Sequence, residues 1–114
     1  IITKSYKDWR VIKNLGYNVI WLQNEGMIPS KETWIDRIKI GKYSKVYIFF
    51  DSDEPGLKAA LNVKNYLDTS YFCSATVKTL NLPISYLKLN IKDPANIVEV
   101  KNSHYLKLFI DDSI

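Results

Sequence analysis

The chain has 114 residues, of which 46% are hydrophobic and 25% are charged, a balance that is typical of one folded domain and excludes a mainly disordered chain. The formal net charge of +4 permits a polyanionic partner without requiring one. The single cysteine, Cys73, and the single histidine, His104, exclude an internal disulfide and argue against structural zinc, so any metal chemistry is expected to use carboxylates and a hard cation.

The first half of the chain alternates between short apolar runs and amphipathic stretches. Residues 1–3 read as the end of a strand, and residues 6–15 have the apolar spacing of a helix that ends at a glycine. Residues 19–22 are a second β-branched and aromatic run. A second helix is predicted to begin after Ser30, and residues 46–50 are the strongest strand of the sequence, without the alternation of a half-exposed strand.

The second half continues the same alternation. Residues 55–67 carry an apolar stripe at helical spacing. Residues 69–83 are polar with scattered apolar positions, and we interpret them as a connection or a small insertion. Residues 84–89 read as a fourth strand. Pro94 can open a short helix, and a C-terminal helix is predicted at 103–111.

This order of strands and helices predicts an α/β domain with a four-stranded, mainly parallel sheet flanked by helices. In such a sheet the functional loops follow the carboxyl ends of the strands. Polar and acidic residues gather in the segments that this rule selects, which are residues 3–5, 23–26, 51–54 and 90–94.

The start of the sequence leads to two expectations about the whole protein. The chain opens inside a core strand and without Met, so we expect a single domain at 1–114, with its core at 1–100, that is a piece of a larger protein. Neither a secretory signal nor an apolar stretch of about 18 residues is recognisable. We therefore expect a cytoplasmic protein.

The motif that carries chemistry is Asp51-Ser52-Asp53-Glu54-Pro55-Gly56, directly after the most apolar strand. Two carboxylates one residue apart at the end of a strand can share one or two Mg²⁺ ions. Asp53 could instead cap the following helix, but capping does not account for Asp51. An EF-hand loop is excluded because its twelfth position, a glutamate in that motif, is Asn62 here.

The motif at 51–56, followed by Leu57-Lys58-Ala59-Ala60, resembles the second motif of the Toprim domain, which is shared by DnaG-type primases, topoisomerases, OLD-family nucleases and RecR proteins. The stretch Lys92-Asp93-Pro94-Ala95-Asn96 is similar to the loop that primases carry after their fourth strand. The resemblance covers residue 1 to about residue 100 and implies a Rossmann-like Toprim fold. It further implies a Mg²⁺ or Mn²⁺ site at Asp51, Asp53 and Asp93, with Lys58 and Lys92 meeting phosphates or nucleic acid.

The first motif of that family, Glu-Gly-x-x-Asp, is altered here to Lys4-Ser5-Tyr6-Lys7-Asp8. The family glutamate is a proposed general acid/base or metal ligand, and Lys4 cannot bind Mg²⁺, although it can hold a phosphate or donate a proton. Glu25, in the loop after the second strand, is either a compensating acid or a solvated loop residue. The resemblance thus makes Lys4, Asp8 and Glu25 the candidate catalytic residues.

The resemblance to bacterial and phage primases implies metal-dependent nucleotidyl transfer that builds an RNA primer during DNA replication. Single-stranded DNA and nucleoside triphosphates are the implied partners, with a helicase as a further candidate and no membrane. Two alternatives stay open. One is phosphodiester cleavage, as in Toprim nucleases and topoisomerases. The other is a catalytically silent module that binds DNA or protein, which the replacement by Lys4 favours.

Overall fold

The computed structural model describes residues 1–22 and 28–114. The strands are β1 (Ile2–Thr3), β2 (Ile20–Trp21), β3 (Lys45–Ile48) and β4 (Thr76–Thr79). The α-helices are α1 (Tyr6–Lys13), α2 (Glu54–Asp68), α3 (Ile84–Lys88), α4 (Pro94–Val100) and α5 (Ser103–Ser113). A π-helical segment, Thr33–Ile38, and a 3₁₀ turn, Ile40–Lys42, lie between β2 and β3. Within these described residues, no helix is long and apolar enough to cross a membrane.

The four strands form one sheet in the order β2-β1-β3-β4, and every neighbouring pair is parallel. Ile2 of β1 lies between Ile20 of β2 and Ile48 of β3. The predicted α/β fold with a four-stranded parallel sheet is therefore confirmed. Since all strands point the same way, their carboxyl ends open at one edge of the sheet, and the loops of the site gather there.

Helices cover both faces of the sheet. The apolar side chains at the end of β3 and just after it point alternately to one face and to the other. Ile48 and Phe50 belong to one buried cluster, which includes Trp34 and the inner side of α2. Phe49 belongs to a second buried cluster on the other face, to which α1, α4 and α5 contribute Ile12, Ile97, Leu106 and Ile110. A strand buried on both faces explains the unbroken apolar run at 46–50.

Two predictions in the second half were wrong. Residues 69–83 are not simply a connection, because they contain the edge strand β4, which pairs with β3 over its whole length. Only Val77 of β4 is buried, and the other three residues of the strand are polar. The sequence therefore has no apolar run that would have indicated this strand. Residues 84–89 are not a strand: they form the short helix α3, in which Ile84 is 70% exposed. The sheet order leaves β4 as an edge strand, with α3 outside the sheet.

The predicted helices correspond closely to the observed ones. The helix expected at 55–67 is α2, the one expected after Pro94 is α4, and the one expected at 103–111 is α5. The helix expected after Ser30 is present in altered form, as the π-helical segment that buries Trp34 completely.

Candidate metal centre

Asp8 is a buried carboxylate held at the start of α1. Ser5 caps the helix, and its hydroxyl oxygen accepts a 3.2 Å hydrogen bond from the Asp8 backbone N–H. The Asp8 side chain is turned inward, leaving the residue 2% exposed, and its Oδ1 accepts a 3.0 Å hydrogen bond from the backbone N–H of Ala95. Because Ala95 is the second residue of α4, Asp8 takes up one of the N–H groups that a helix leaves unpaired at its N-terminus.

Asp51 lies half-buried just beyond the apolar run that continues β3. The chain turns at once into α2, and Gly56 makes this possible. A Cβ atom at Gly56 would lie 2.1 Å from the backbone oxygen of Asp51, closer than any side chain permits. The glycine of the motif therefore has a steric function, since it lets the first turn of α2 approach the backbone of the acidic residue.

Ser52 ties this loop to the segment that carries the third acid. Its side chain is buried, and its Oγ accepts a 3.0 Å hydrogen bond from the backbone N–H of Leu82. Its own backbone N–H donates to the carbonyl oxygen of Lys92 at 2.7 Å. Ser52 thus fixes the position of Asp51 relative to the residue before Asp93.

Asp93 is the N-cap of α4, and its Oδ1 accepts a 2.8 Å hydrogen bond from the backbone N–H of Asn96. Asn96 returns the interaction, because its Oδ1 accepts a 3.1 Å hydrogen bond from the backbone N–H of Lys92. Such a reciprocal cap holds the entry to the helix in one conformation. Asp93 is half-buried, like Asp51.

These elements bring three carboxylates together. One oxygen from each of Asp8, Asp51 and Asp93 lies within 4.8 Å of the other two. Around an octahedral Mg²⁺, adjacent ligand oxygens are about 3 Å apart and opposite ones about 4 Å apart, so the three side chains would move closer together on binding an ion. Carboxylate oxygens are also the ligands that hard divalent cations select. The residues therefore fit a divalent metal.

The electrostatics of Asp8 support the same fit. Burial, and then the charge of Asp93, raise the pKa of Asp8 from 3.8 to about 7, with a further contribution from Asp51. Hydrogen bonds from the Ala95 N–H and the Ser5 hydroxyl act in the opposite direction. A divalent cation beside the three carboxylates would counteract this mutual repulsion and favour the ionised form of Asp8.

Asp53 is placed differently from the other predicted ligands. It is the N-cap of α2, and its Oδ1 accepts a 2.8 Å hydrogen bond from the backbone N–H of Gly56. This is the capping interaction set out above as the alternative to metal binding. Asp53 is not one of the three carboxylates found within 4.8 Å of each other in the described part of the chain. Its assignment as a metal ligand stays a prediction.

Three of the remaining predicted residues, Lys4, Lys58 and Lys92, lie at or near the same edge. Lys4 is half-buried and joins the end of β1 to Ser5, the cap of α1. Lys58 is exposed near the start of α2, and Lys92 is exposed next to Asp93. Their contacts with phosphates stay predictions. Glu25 lies outside the described residues, and its proposed compensating role is likewise untested.

Sequence reasoning missed the residues that hold the three acids in place. Ser5, Ser52 and Asn96 are not among the predicted ligands, yet each fixes the backbone next to an acid. Two of these interactions had a sequence signal, because Ser5-x-x-Asp8 and Asp93-x-x-Asn96 have the spacing of N-terminal helix caps. The hydrogen bond between Ser52 and Leu82 spans 30 residues and has no local signal.

Comparison with protein families matches residues 1–83 to the Toprim domain. Neither the curated proteins nor the solved structures compared with the chain include a match. The matched segment contains β1 to β4 with Asp8 and Asp51, and it ends before Asp93, which the fold nevertheless brings to the same place. The chain therefore belongs to the Toprim domain family, whose members are metal-dependent modules of nucleic-acid processing.

Proposed function

We propose that this chain is the Toprim catalytic module of a DNA primase, which transfers nucleotides onto a growing RNA primer on a single-stranded DNA template. The observation that supports the proposal is the convergence of Asp8, Asp51 and Asp93 from three separate segments of the chain. Such a carboxylate cluster suits a Mg²⁺ or Mn²⁺ ion, whose bound state would neutralise triphosphate charge and activate a hydroxyl group.

Each acid would contribute in its own way. Asp51 and Asp93 are half-buried and so accessible to an ion from the solvent side, whereas Asp8 is 2% exposed and lies behind them. The Ala95 N–H holds Asp8 Oδ1 in one position, so the ion would meet a ligand that is already oriented. Preorganised ligands lower the cost of binding. Lys58 and Lys92 would meet the phosphates of the incoming nucleotide.

The choice of a primase among Toprim enzymes rests on the segment at 92–96. This segment resembles the primase motif, and in the fold its aspartate is the third member of the carboxylate cluster. The replacement of the first-motif glutamate by Lys4 favours a second candidate, a Toprim module that binds nucleic acid or protein without catalysis. Both candidates predict a folded metal site, so they differ only in activity.

Three measurements on the protein and its Asp51→Asn variant test the proposal. Mn²⁺ should broaden the NMR signals of residues 8, 51 and 93 in the unsubstituted protein, called the parent chain below, and much less in the variant. Primer synthesis is then assayed with nucleoside triphosphates and single-stranded DNA, and nicking with supercoiled DNA. Primers that depend on Asp51 support a primase. Nicking without primers would identify a nuclease or topoisomerase type, and metal binding without either activity would identify a silent module.

A further inference from the structure

Three aromatic residues form a continuous cluster beside the acidic site. The Tyr6 and Trp9 rings are stacked, with centroids 5.7 Å apart and an interplanar angle of 27°. Trp21, at the end of β2, contacts both rings, at 5.0 Å from Trp9 and 5.7 Å from Tyr6. The cluster therefore joins the first turn of α1 to the end of the neighbouring strand.

The cluster is rigid on its inner side and open on its outer side. Trp9 Nε1 donates a 3.0 Å hydrogen bond to the carbonyl oxygen of Val19, which fixes the indole against the start of β2. Tyr6, by contrast, is 55% exposed, and Trp9 and Trp21 are half-buried. A large aromatic residue that is held on one side and bare on the other differs from a core residue such as Trp34, which is 0% exposed.

The cluster lies next to the acidic site on the same helix. Tyr6 and Asp8 are two positions apart in the first turn of α1, so their Cα atoms are about 5 Å apart and their side chains leave the helix on nearly opposite sides. Asp8 meets α4, and Tyr6 meets β2. A nucleic-acid strand that reaches the carboxylates through a metal ion would therefore pass around the first turn of α1, a width of about 10 Å, to reach the Tyr6 ring.

The charges around the cluster match a polyanion. Lys7 and Arg10 are exposed on α1 on either side of Trp9 in sequence. A cavity of about 600 Å³ adjoins Trp9 and Trp21, and Arg37 contributes to its lining. Aromatic faces bordered by cations are the arrangement with which proteins bind single-stranded nucleic acid independently of sequence, because every base presents a π-face and every linkage a phosphate.

We propose that Tyr6, Trp9 and Trp21 form a stacking surface for an unpaired base of single-stranded nucleic acid, next to the metal site. The proposal rests on the nucleic-acid function proposed above and adds the element that would hold the strand. Duplex DNA does not offer a free base face, so this surface would select single strands. It acts through the bases and needs no metal, which separates its test from that of the carboxylates.

The test measures the affinity of the protein for a labelled oligothymidylate of about 12 nucleotides, by fluorescence anisotropy, first in EDTA and then with Mg²⁺. Tyr6→Ala should weaken binding about 5- to 100-fold in both buffers, because a stacked base contributes that much to affinity. Tyr6→Phe should keep most of the affinity, since stacking requires the ring and not the hydroxyl. Tyr71→Ala is the matched control, because Tyr71 is also an exposed tyrosine, 79% exposed, with a lysine ammonium over its ring.

A second ligand separates bases from phosphates. An oligonucleotide of the same length made of abasic sites should bind the parent chain weakly, and Tyr6→Ala should not weaken it further. Equal affinity of the parent chain and Tyr6→Ala for oligothymidylate would overturn the proposal, as would an effect on free nucleoside triphosphates alone. Mn²⁺ affinity should be unchanged in Tyr6→Ala, and Asp51→Asn should still bind oligothymidylate in EDTA. The stacking proposal can therefore be disproved while the metal site is retained, and the metal-site proposal can be disproved while stacking is still measured.

Discussion

The backbone N–H of Ala95 donates a 3.0 Å hydrogen bond to Asp8 Oδ1 across 87 residues of sequence. The bond connects the first turn of α1 with the first turn of α4, and it occurs where Asp8 is 2% exposed. A carboxylate buried this deeply depends on fixed N–H donors instead of water. The protonation of Asp8 and the folding of this edge of the sheet are therefore coupled.

The first prediction concerns pH. In the metal-free protein, burial and the charge of Asp93 raise the pKa of Asp8 from 3.8 to about 7. Between about pH 4 and pH 7 the folded state then retains a proton that the unfolded state has released. This contribution to stability is complete below the unfolded pKa and is lost as the pH rises through the folded pKa, by an amount on the order of 4 kcal/mol.

Urea denaturation in EDTA at several pH values measures this effect, with Asp8→Asn as the reference because it cannot titrate. Relative to Asp8→Asn, the parent chain should become steadily less stable from about pH 4 to about pH 7, and the difference should level off above that. Saturating Mn²⁺ should stabilise the parent chain at pH 8 much more than the variant. Parallel stability curves for the two proteins would mean that Asp8 titrates normally.

The second prediction concerns Ser52, which binds no proposed ligand. Ser52→Ala leaves the buried N–H of Leu82 without its 3.0 Å partner, and an unsatisfied buried donor costs about 1–3 kcal/mol of the free energy of unfolding. Because Ser52 also holds the loops of Asp51 and Asp93 together, Mn²⁺ affinity should fall by roughly tenfold, as it does when other residues that orient metal ligands are replaced.

Ser85→Ala is the control for this substitution, since Ser85 is exposed in α3 and its loss should change neither stability nor metal binding. Denaturation and isothermal titration with Mn²⁺ give the two quantities. A Ser52→Ala protein that is destabilised but binds Mn²⁺ normally would show that Ser52 has only a structural role.

The third prediction separates the acids by substitution. Asp93→Asn should lower Mn²⁺ affinity by more than about tenfold, because it removes one of three converging carboxylates. Asp53→Asn should have a much smaller effect, since asparagine caps a helix about as well as aspartate and Asp53 is observed as the cap of α2. Both variants should retain their stability, because each keeps its cap. An equal loss of affinity in the two would restore Asp53 to the metal site.

The sequence was informative where local patterns coincide with the tertiary environment. The run at 46–50 lies in a strand buried on both faces, and Asp51 follows it at the sheet edge. It was misleading where burial is set by distant partners. Val77 of the edge strand β4 is buried because it pairs with Val46 and belongs to the buried cluster that includes the inner side of α2. Ile84 is apolar but 70% exposed. Hydrophobicity alone therefore assigned the strand to residues 84–89 instead of residues 76–79.

The same reasoning applies to the site. Asp8, Asp51 and Asp93 were all identified as candidates by motifs that they share with a family. The presence of Asp8 in the cluster depends on α1 packing against α4, and the cap formed by Asp53 depends on the close approach of Gly56 to Asp51. The contact between α1 and α4 joins elements that are far apart in sequence, so the spacing of residues does not predict it. For Asp53, the spacing allows both a capping role and a metal-binding role and does not decide between the two.

The last prediction concerns Lys4, which stands where the first motif of the Toprim family has a glutamate. It is half-buried between β1 and the cap of α1, only four positions before Asp8. A fixed ammonium near the carboxylates competes with a divalent cation for the same negative charge. Lys4→Glu should therefore raise Mn²⁺ affinity by about tenfold or more, because it removes that charge and adds a ligand. Lys4→Ala should raise it less, because it only removes the charge.

Lys7→Glu is the matched control, because it makes the same change in net charge at an exposed position of α1, where salt screens its effect on the site. Isothermal titration with Mn²⁺ at low and at moderate salt compares the four proteins. The affinity order Lys4→Glu, Lys4→Ala, parent chain should persist at both salt concentrations, whereas any effect of Lys7→Glu should shrink as salt is added. If Lys4→Glu behaves like Lys7→Glu, Lys4 acts only through the overall field of the protein and lies outside the metal site. If Lys4→Glu binds Mn²⁺ more tightly and also gains activity, Lys4 limits both metal binding and activity at this site.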